Sequence, residues 1–172
     1  VGFLGTVMNQ FMKLWFRVPR PWVLDEKFTI IEQAREGASG YSFPSGHTQS
    51  AVGTFGTIAY SFKNNVIRWL CAILMILVPF SRMYLGVHTP MDVAVAAGMA
   101  LLFVLVLKPI VFSKNRCVFP IFLGIMLAIS TGFLCFVELY PFPANIDPHN
   151  MASGLKNAYT LLGSLLGLIV VY

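Results

Sequence analysis

The chain has 172 residues, of which 57% are hydrophobic and 11% charged, with a formal net charge of +5. That balance excludes an ordinary soluble globular domain and points to a membrane protein. The surplus of base does not imply a nucleic-acid partner: a surface that binds a polyanion gathers its cations on one water-facing patch, and here they punctuate apolar segments.

Six helices are predicted in chain order: Val1 to Phe16, Thr48 to Phe62, Val66 to Met83, Pro90 to Leu107, Val118 to Tyr140 and Met151 to Tyr172. The fold class is therefore all-α, a polytopic transmembrane helix bundle forming a single domain over residues 1–172. The first helix begins inside an apolar pattern, with no charged leader and no small-residue cleavage site, so the chain reads as a fragment lacking amino-terminal helices rather than as one carrying a signal peptide. Between the first two helices lies the long polar loop Arg17 to Gly46. Its Val18-Pro19-Arg20-Pro21 stretch must be extended, because residues before proline avoid the helical region. Asp25 to Glu36 offers one short helix with Phe28, Ile31 and Ala34 or Arg35 towards one side, or else a solvated turn.

Further along, Val66 to Phe80, Val93 to Leu107, Val118 to Val137 and Leu161 to Val171 carry almost no charge, and the third run can cross a bilayer unaided. Gly53 with Gly56, Ala94 with Gly98, and Gly163 with Gly167 are expected where helices touch. Cys71, Cys117 and Cys135 form no CxxC pair and read as packing residues.

Following the chain through its helices sorts the charges onto two sides. One side collects Lys63, Arg68, Lys108, Lys114 and Arg116 with no acid, and the other holds the remaining seven basic residues and all seven acids. By the positive-inside rule the acid-free side is cytoplasmic, which places loop 17–46 outside it. A plasma membrane is the expected location, and Ser39 and Asn64 would report the two sides.

Three polar clusters fall on the extracytoplasmic side: Lys13 followed after six residues by Arg20-Pro21; Pro44-Ser45-Gly46-His47; and Ser81-Arg82 followed by His88 and Asp92. Ionisable groups near a membrane are costly unless they have a task. Phosphoryl transfer would give them one, since it needs cations for the equatorial oxygens, an in-line nucleophile and an acid for the departing oxygen. Lys13, Arg20 and Arg82 can surround a phosphate. Ser45 and Gly46 precede a helix whose free amides favour anions. Thr89-Pro90 reads as an N-cap with proline at the first helical position, so Asp92 can reach back to His88, fix its tautomer and leave the other nitrogen free to attack. His47 is then suited to protonate the leaving oxygen, although spacing alone also allows the reverse assignment. His149, in a turn-rich segment, reads as an ordinary loop histidine. The absence of an HExxH pattern or a cysteine set, together with the surplus of cations, argues against a metal site, and no cofactor is implied.

Together the clusters resemble the tripartite motif of the type 2 phosphatidic acid phosphatase superfamily, K-x6-RP, PSGH and SR-x5-H-x3-D, complete in spacing from Lys13 to Asp92. The resemblance implies a metal-independent membrane phosphatase in which Lys13, Arg20 and Arg82 bind phosphate with help from Ser45 and Gly46. It further implies that His47 is the general acid, His88 the nucleophile and Asp92 its partner. A lipid phosphate or isoprenyl diphosphate is the expected substrate, with membrane lipids as surroundings. The alternatives are a vanadium haloperoxidase-like activity, a sugar phosphatase, and a silent transporter or scaffold that keeps the fold. The two helices after Cys117 depart from the family pattern, in which many chains end soon after the helix that follows the last motif.

Overall fold

The computed structural model describes residues 1–25, 27–38 and 40–171. Glu26, Ser39 and Tyr172 lie outside them, and with them the use of Ser39 as a reporter. Six long helices form at the expected places: α1 (Gly2–Phe16), α4 (Gly46–Ser61), α5 (Asn65–Tyr84), α6 (Pro90–Val111), α7 (Val118–Leu139) and α8 (Pro148–Val171). Among the described residues there is no strand.

The loop after α1 departs from expectation in its details. The helix expected over Asp25 to Glu36 shrinks to a single turn, α3 (Glu32–Arg35), followed by a 3-10 turn over Glu36–Ala38. A further turn, α2 (Pro21–Leu24), forms where Pro21 supplies a preset φ at the first helical position. Arg17, with φ 49° and ψ 39°, closes α1 in the left-handed region. Helix α4 starts two residues before the expected Thr48, because Ser45 takes the cap position and its side chain accepts the Thr48 amide at 3.4 Å.

Helices α5, α6, α7 and α8 are each long and apolar enough to cross a membrane. Their large side chains also face outwards: Trp69, Ile76, Leu105 and Val170 are all more than half exposed, as lipid-facing residues of a membrane bundle should be. Phe11, Trp15, Phe136, Tyr140 and Phe142 pack ring against ring where α1 and α7 reach the face that carries the motifs, the position of an aromatic belt.

The core has two parts. Helix α4 packs on α5 and on α6, with Val52 of α4 and Ala96, Ala100 and Val104 of α6 buried, while α1 packs on the α7–α8 pair through Val7, Leu14, Phe133, Val137 and Ala158. A buried amide pair joins them. Asn9 of α1 donates to the Gln49 side chain of α4 at 2.9 Å, and Gln49 donates in turn to the Gly5 carbonyl at 2.9 Å. Buried polar groups satisfied in this way fix the relative position of two helices.

The small-residue reading is corrected in part. Gly53 and Gly56 are buried between helices, but a Cβ on Gly98, Gly163 or Gly167 would meet nothing within 4 Å. The two spacings they belong to, Ala94 with Gly98 and Gly163 with Gly167, fall on outward faces of their helices. Of the cysteines only Cys71 is buried, and Cys117 and Cys135 are exposed.

Candidate active site

The site forms where the carboxyl ends of α1 and α5 meet the amino ends of α4 and α6. Lys13, in the last turn of α1, is buried, and its Nζ donates to the Tyr41 carbonyl. Arg20 is also buried and spans two loops: Nε donates to the Gly40 carbonyl at 3.0 Å, and Nη1 to the Val87 carbonyl at 2.8 Å. A planar guanidinium can bridge in this way, whereas an ammonium is a point charge. Burial draws the Arg20 pKa down to about 10 against the pull of Asp92, which leaves it a cation at neutral pH.

His88 sits in the turn between α5 and α6. The chain reaches it through Gly86, whose φ is 74° and whose missing Cβ would lie 2.7 Å from the Thr29 carbonyl oxygen, so glycine is required twice over. The Nδ1 atom of His88 is 3.4 Å from Asp92 Oδ2, and its Nε2 is 3.1 Å from Arg20 Nη1. The tautomer that suits both neighbours carries its proton on Nδ1, facing the carboxylate, and keeps the Nε2 lone pair on the guanidinium side. Burial lowers the His88 pKa below the ordinary histidine value; the Asp92 hydrogen bond opposes this and the charge of Arg20 reinforces it. The resting imidazole is therefore neutral.

Asp92 has a second task as the third residue of α6. Its Oδ2 accepts the Thr89 amide at 2.8 Å while Thr89 Oγ1 accepts the Asp92 amide at 3.2 Å, a reciprocal capping box. Ser42, which sequence reasoning passed over, donates its hydroxyl to the same carboxylate oxygen and lies 3.5 Å from His88 Nδ1. Its signal was faint: one small hydroxyl between Tyr41 and Phe43, just before Pro44-Ser45-Gly46-His47. The Ser45 amide donates to the Asp92 carbonyl at 3.2 Å, which ties the start of α4 to that of α6.

A cavity of about 1140 Å³ opens in front of these groups, and Lys13, Arg20, Gly46, His47, Arg82 and His88 all line it. Six of the eight expected site residues thus face one space. Ser45 and Asp92 are buried behind its wall, Ser45 as a helix cap and Asp92 against His88. The amides of Gly46 and His47 open α4 and have no acceptor within the helix, which makes them donors for an anion. His149 lies apart, exposed in the first turn of α8 and outside the cavity lining. Among the described residues, no three His, Cys, Asp or Glu side chains gather closely enough to hold a metal ion.

A helical membrane bundle with cations grouped around a buried histidine–aspartate pair at helix ends defines a class of protein. Residues 1–116 match the family model described as PAP2 superfamily, and the chain belongs to that superfamily. Among curated proteins it is similar to undecaprenyl-diphosphatase BcrC of Bacillus subtilis (strain 168), at 38% identity over 92 residues covering 54% of this chain and 45% of that one. It is also similar to phosphatidylglycerophosphatase B of the same strain, at 28% identity over 111 residues covering 59% and 50% respectively. The chain spans about half the length of the curated relatives it matches. No solved structure matches it. The α7–α8 pair lies beyond the residues that the family model covers.

Proposed function

We propose that this chain is the catalytic part of an integral membrane phosphatase that hydrolyses a lipid phosphate or isoprenyl diphosphate through a phosphohistidine on His88. One observation carries the reading: a neutral, buried histidine stands between Asp92 and Arg20 on the wall of a cavity also lined by Lys13, Gly46, His47 and Arg82. The cations neutralise the equatorial oxygens, and Arg20 leaves the ring for the phosphate when substrate enters. The Nε2 lone pair then attacks the terminal phosphorus, its bond to the departing oxygen of the alcohol (from a monophosphate) or of the lipid monophosphate (from a diphosphate) breaks, and His47 gives that oxygen its proton. Asp92 steadies the imidazolium. Water, deprotonated by His47, next attacks the phosphohistidine; the nitrogen–phosphorus bond breaks and inorganic phosphate leaves.

An isoprenyl diphosphate stands ahead of a glycerolipid phosphate as substrate. The more similar of the two relatives is named a diphosphatase of undecaprenol, and the cavity runs from the charged groups past apolar Ile58, Val78 and Phe103, where a lipid tail can lie. The charge asymmetry supports a site on the extracytoplasmic face of the plasma membrane, with loop 17–46 outside.

Phosphate release in detergent from isoprenyl, glycerolipid and short-chain or sugar phosphates tests the activity, and turnover is expected to persist in EDTA. His88→Ala should abolish turnover, while His47→Ala should still trap radiolabelled phosphate on the protein from a substrate with a good leaving group. Label trapped by His88→Ala but not by His47→Ala would reverse the two roles. If truncating the tail leaves kcat/KM unchanged, the lipid assignment is abandoned.

A further inference from the structure

The α7–α8 pair meets the site at two points. Gly154 of α8 packs on Leu14, the neighbour of Lys13, so closely that a Cβ there would lie 2.8 Å from Leu14 Cδ1. The second meeting point is the loop that holds the cations at rest, since the Tyr41 carbonyl accepts from Lys13 and the Gly40 carbonyl from Arg20. At the start of α8 the Asp147 amide donates to the Tyr41 hydroxyl at 3.0 Å. Asp147 Oδ1 accepts both the Asn150 amide at 2.7 Å and the Asn150 side chain at 2.9 Å. The Asn150 side chain, so oriented, lies against Gly40 (φ 74°): a Cβ on that glycine would be 2.2 Å from Asn150 Nδ2. Asn150 is buried, and the second meeting point, unlike that of Gly154 with Leu14, is made by polar groups.

We propose that the start of α8 is a clamp on the phosphate cations, in which Tyr41, Asp147 and Asn150 are positioning residues that fix the 40–41 loop and through it Lys13 and Arg20. The inference rests on the reading that these two cations bind phosphate, and it gives the helices beyond residue 116 a task. Lys13 and Arg20 have long side chains with many rotamers, so holding their resting acceptors in place limits where the charges can point. Packing of α8 on α1 alone would require only apolar contacts such as Leu14 with Ala158. A polar clamp aimed at two carbonyls does something different: it couples α8 to anion affinity.

The test is binding of orthovanadate to the full chain in detergent, with helical circular dichroism recorded beside it. Tyr41→Phe removes one hydroxyl and is expected to weaken vanadate binding about fivefold. In a Lys13→Ala background the same substitution should have less than about a twofold effect, because the Tyr41 carbonyl is the acceptor of Lys13 and that partner is gone. Equal losses in both backgrounds, or no loss in either, overturn the clamp. If Tyr41→Phe loses helical signal, Asn150→Ala replaces it in a cycle with Arg20→Ala, whose acceptor Gly40 it lies against, with the same two outcomes. Equal vanadate binding by wild type and Lys13→Ala also overturns it, because no cation is then being positioned. The phosphatase reading fails separately: a wild-type chain that shows the expected coupling yet releases no phosphate from the lipid panel keeps the clamp and loses the activity.

Discussion

Burial disfavours the cationic form of His88, so the nitrogen proposed to attack should stay available below the ordinary histidine range. With a substrate whose leaving group needs no proton, the acid limb of kcat/KM reports this one group and is expected below pH 6.5, the unperturbed histidine value. The Asp92 hydrogen bond raises the His88 pKa, so Asp92→Asn should move that limb further into acid while lowering kcat. A limb that moves upwards would show that Asp92 does not face the titrating ring. Ser42→Ala tests the third partner of the carboxylate. It leaves the charges in place but loosens Asp92, and kcat should fall by roughly tenfold, the order expected for about one hydrogen bond to a charged group, with KM little changed. A rise in KM alone would mean that Ser42 contacts substrate instead.

Helix ends do most of the positioning. The capping box of α6 serves its helix and holds Asp92 for His88, and the cap of α4 frees the amides of Gly46 and His47 for an anion. The turn between α5 and α6 depends on Gly86. Gly86→Ala places a side chain in the left-handed region against the Thr29 carbonyl and should cost about 1–3 kcal/mol in detergent unfolding, with activity lost as His88 shifts. Gly98→Ala, within α6 and facing open space, should instead be neutral or stabilising by up to about 1 kcal/mol. Similar costs at the two positions would mean that the turn is not what fixes His88. The sequence showed the start of α6 through Thr89-Pro90, because capping is local chemistry, but it set the start of α4 two residues late, at Thr48. It gave no such account of the 17–46 loop, whose short turns depend on what they rest against.

At the scale of the whole bundle, the proposed orientation rests on the charge asymmetry. In a chain whose Cys71 and Cys135 are replaced, Cys117 is an exposed reporter in the turn between α6 and α7, and Gly37→Cys, with Cys117 also replaced, places one in the loop. An impermeant thiol reagent on intact cells is expected to label position 37 and spare Cys117. The opposite pattern would invert the topology and put the proposed site in the cytoplasm.

Much of this was legible in the residues alone. Apolar run length determines which segments suit a bilayer, because every backbone group there must be paired within its own helix. The spacing of Lys13, Arg20, Ser45, His47, Arg82, His88 and Asp92 on one side of those runs marks the candidate site before any contact is known. Small-residue spacing did not say which faces touch, since Gly98, Gly163 and Gly167 resemble Gly53 in sequence and differ only in what lies opposite. Nor did local pattern reveal that Ser42 shares a carboxylate with His88, or that Asp147 and Asn150 meet Tyr41 and Gly40 across more than a hundred residues. Such partners are set by where the 17–46 loop rests, on α6 for Ser42 and on the start of α8 for Tyr41 and Gly40, and a contact between distant segments has no periodicity to announce it.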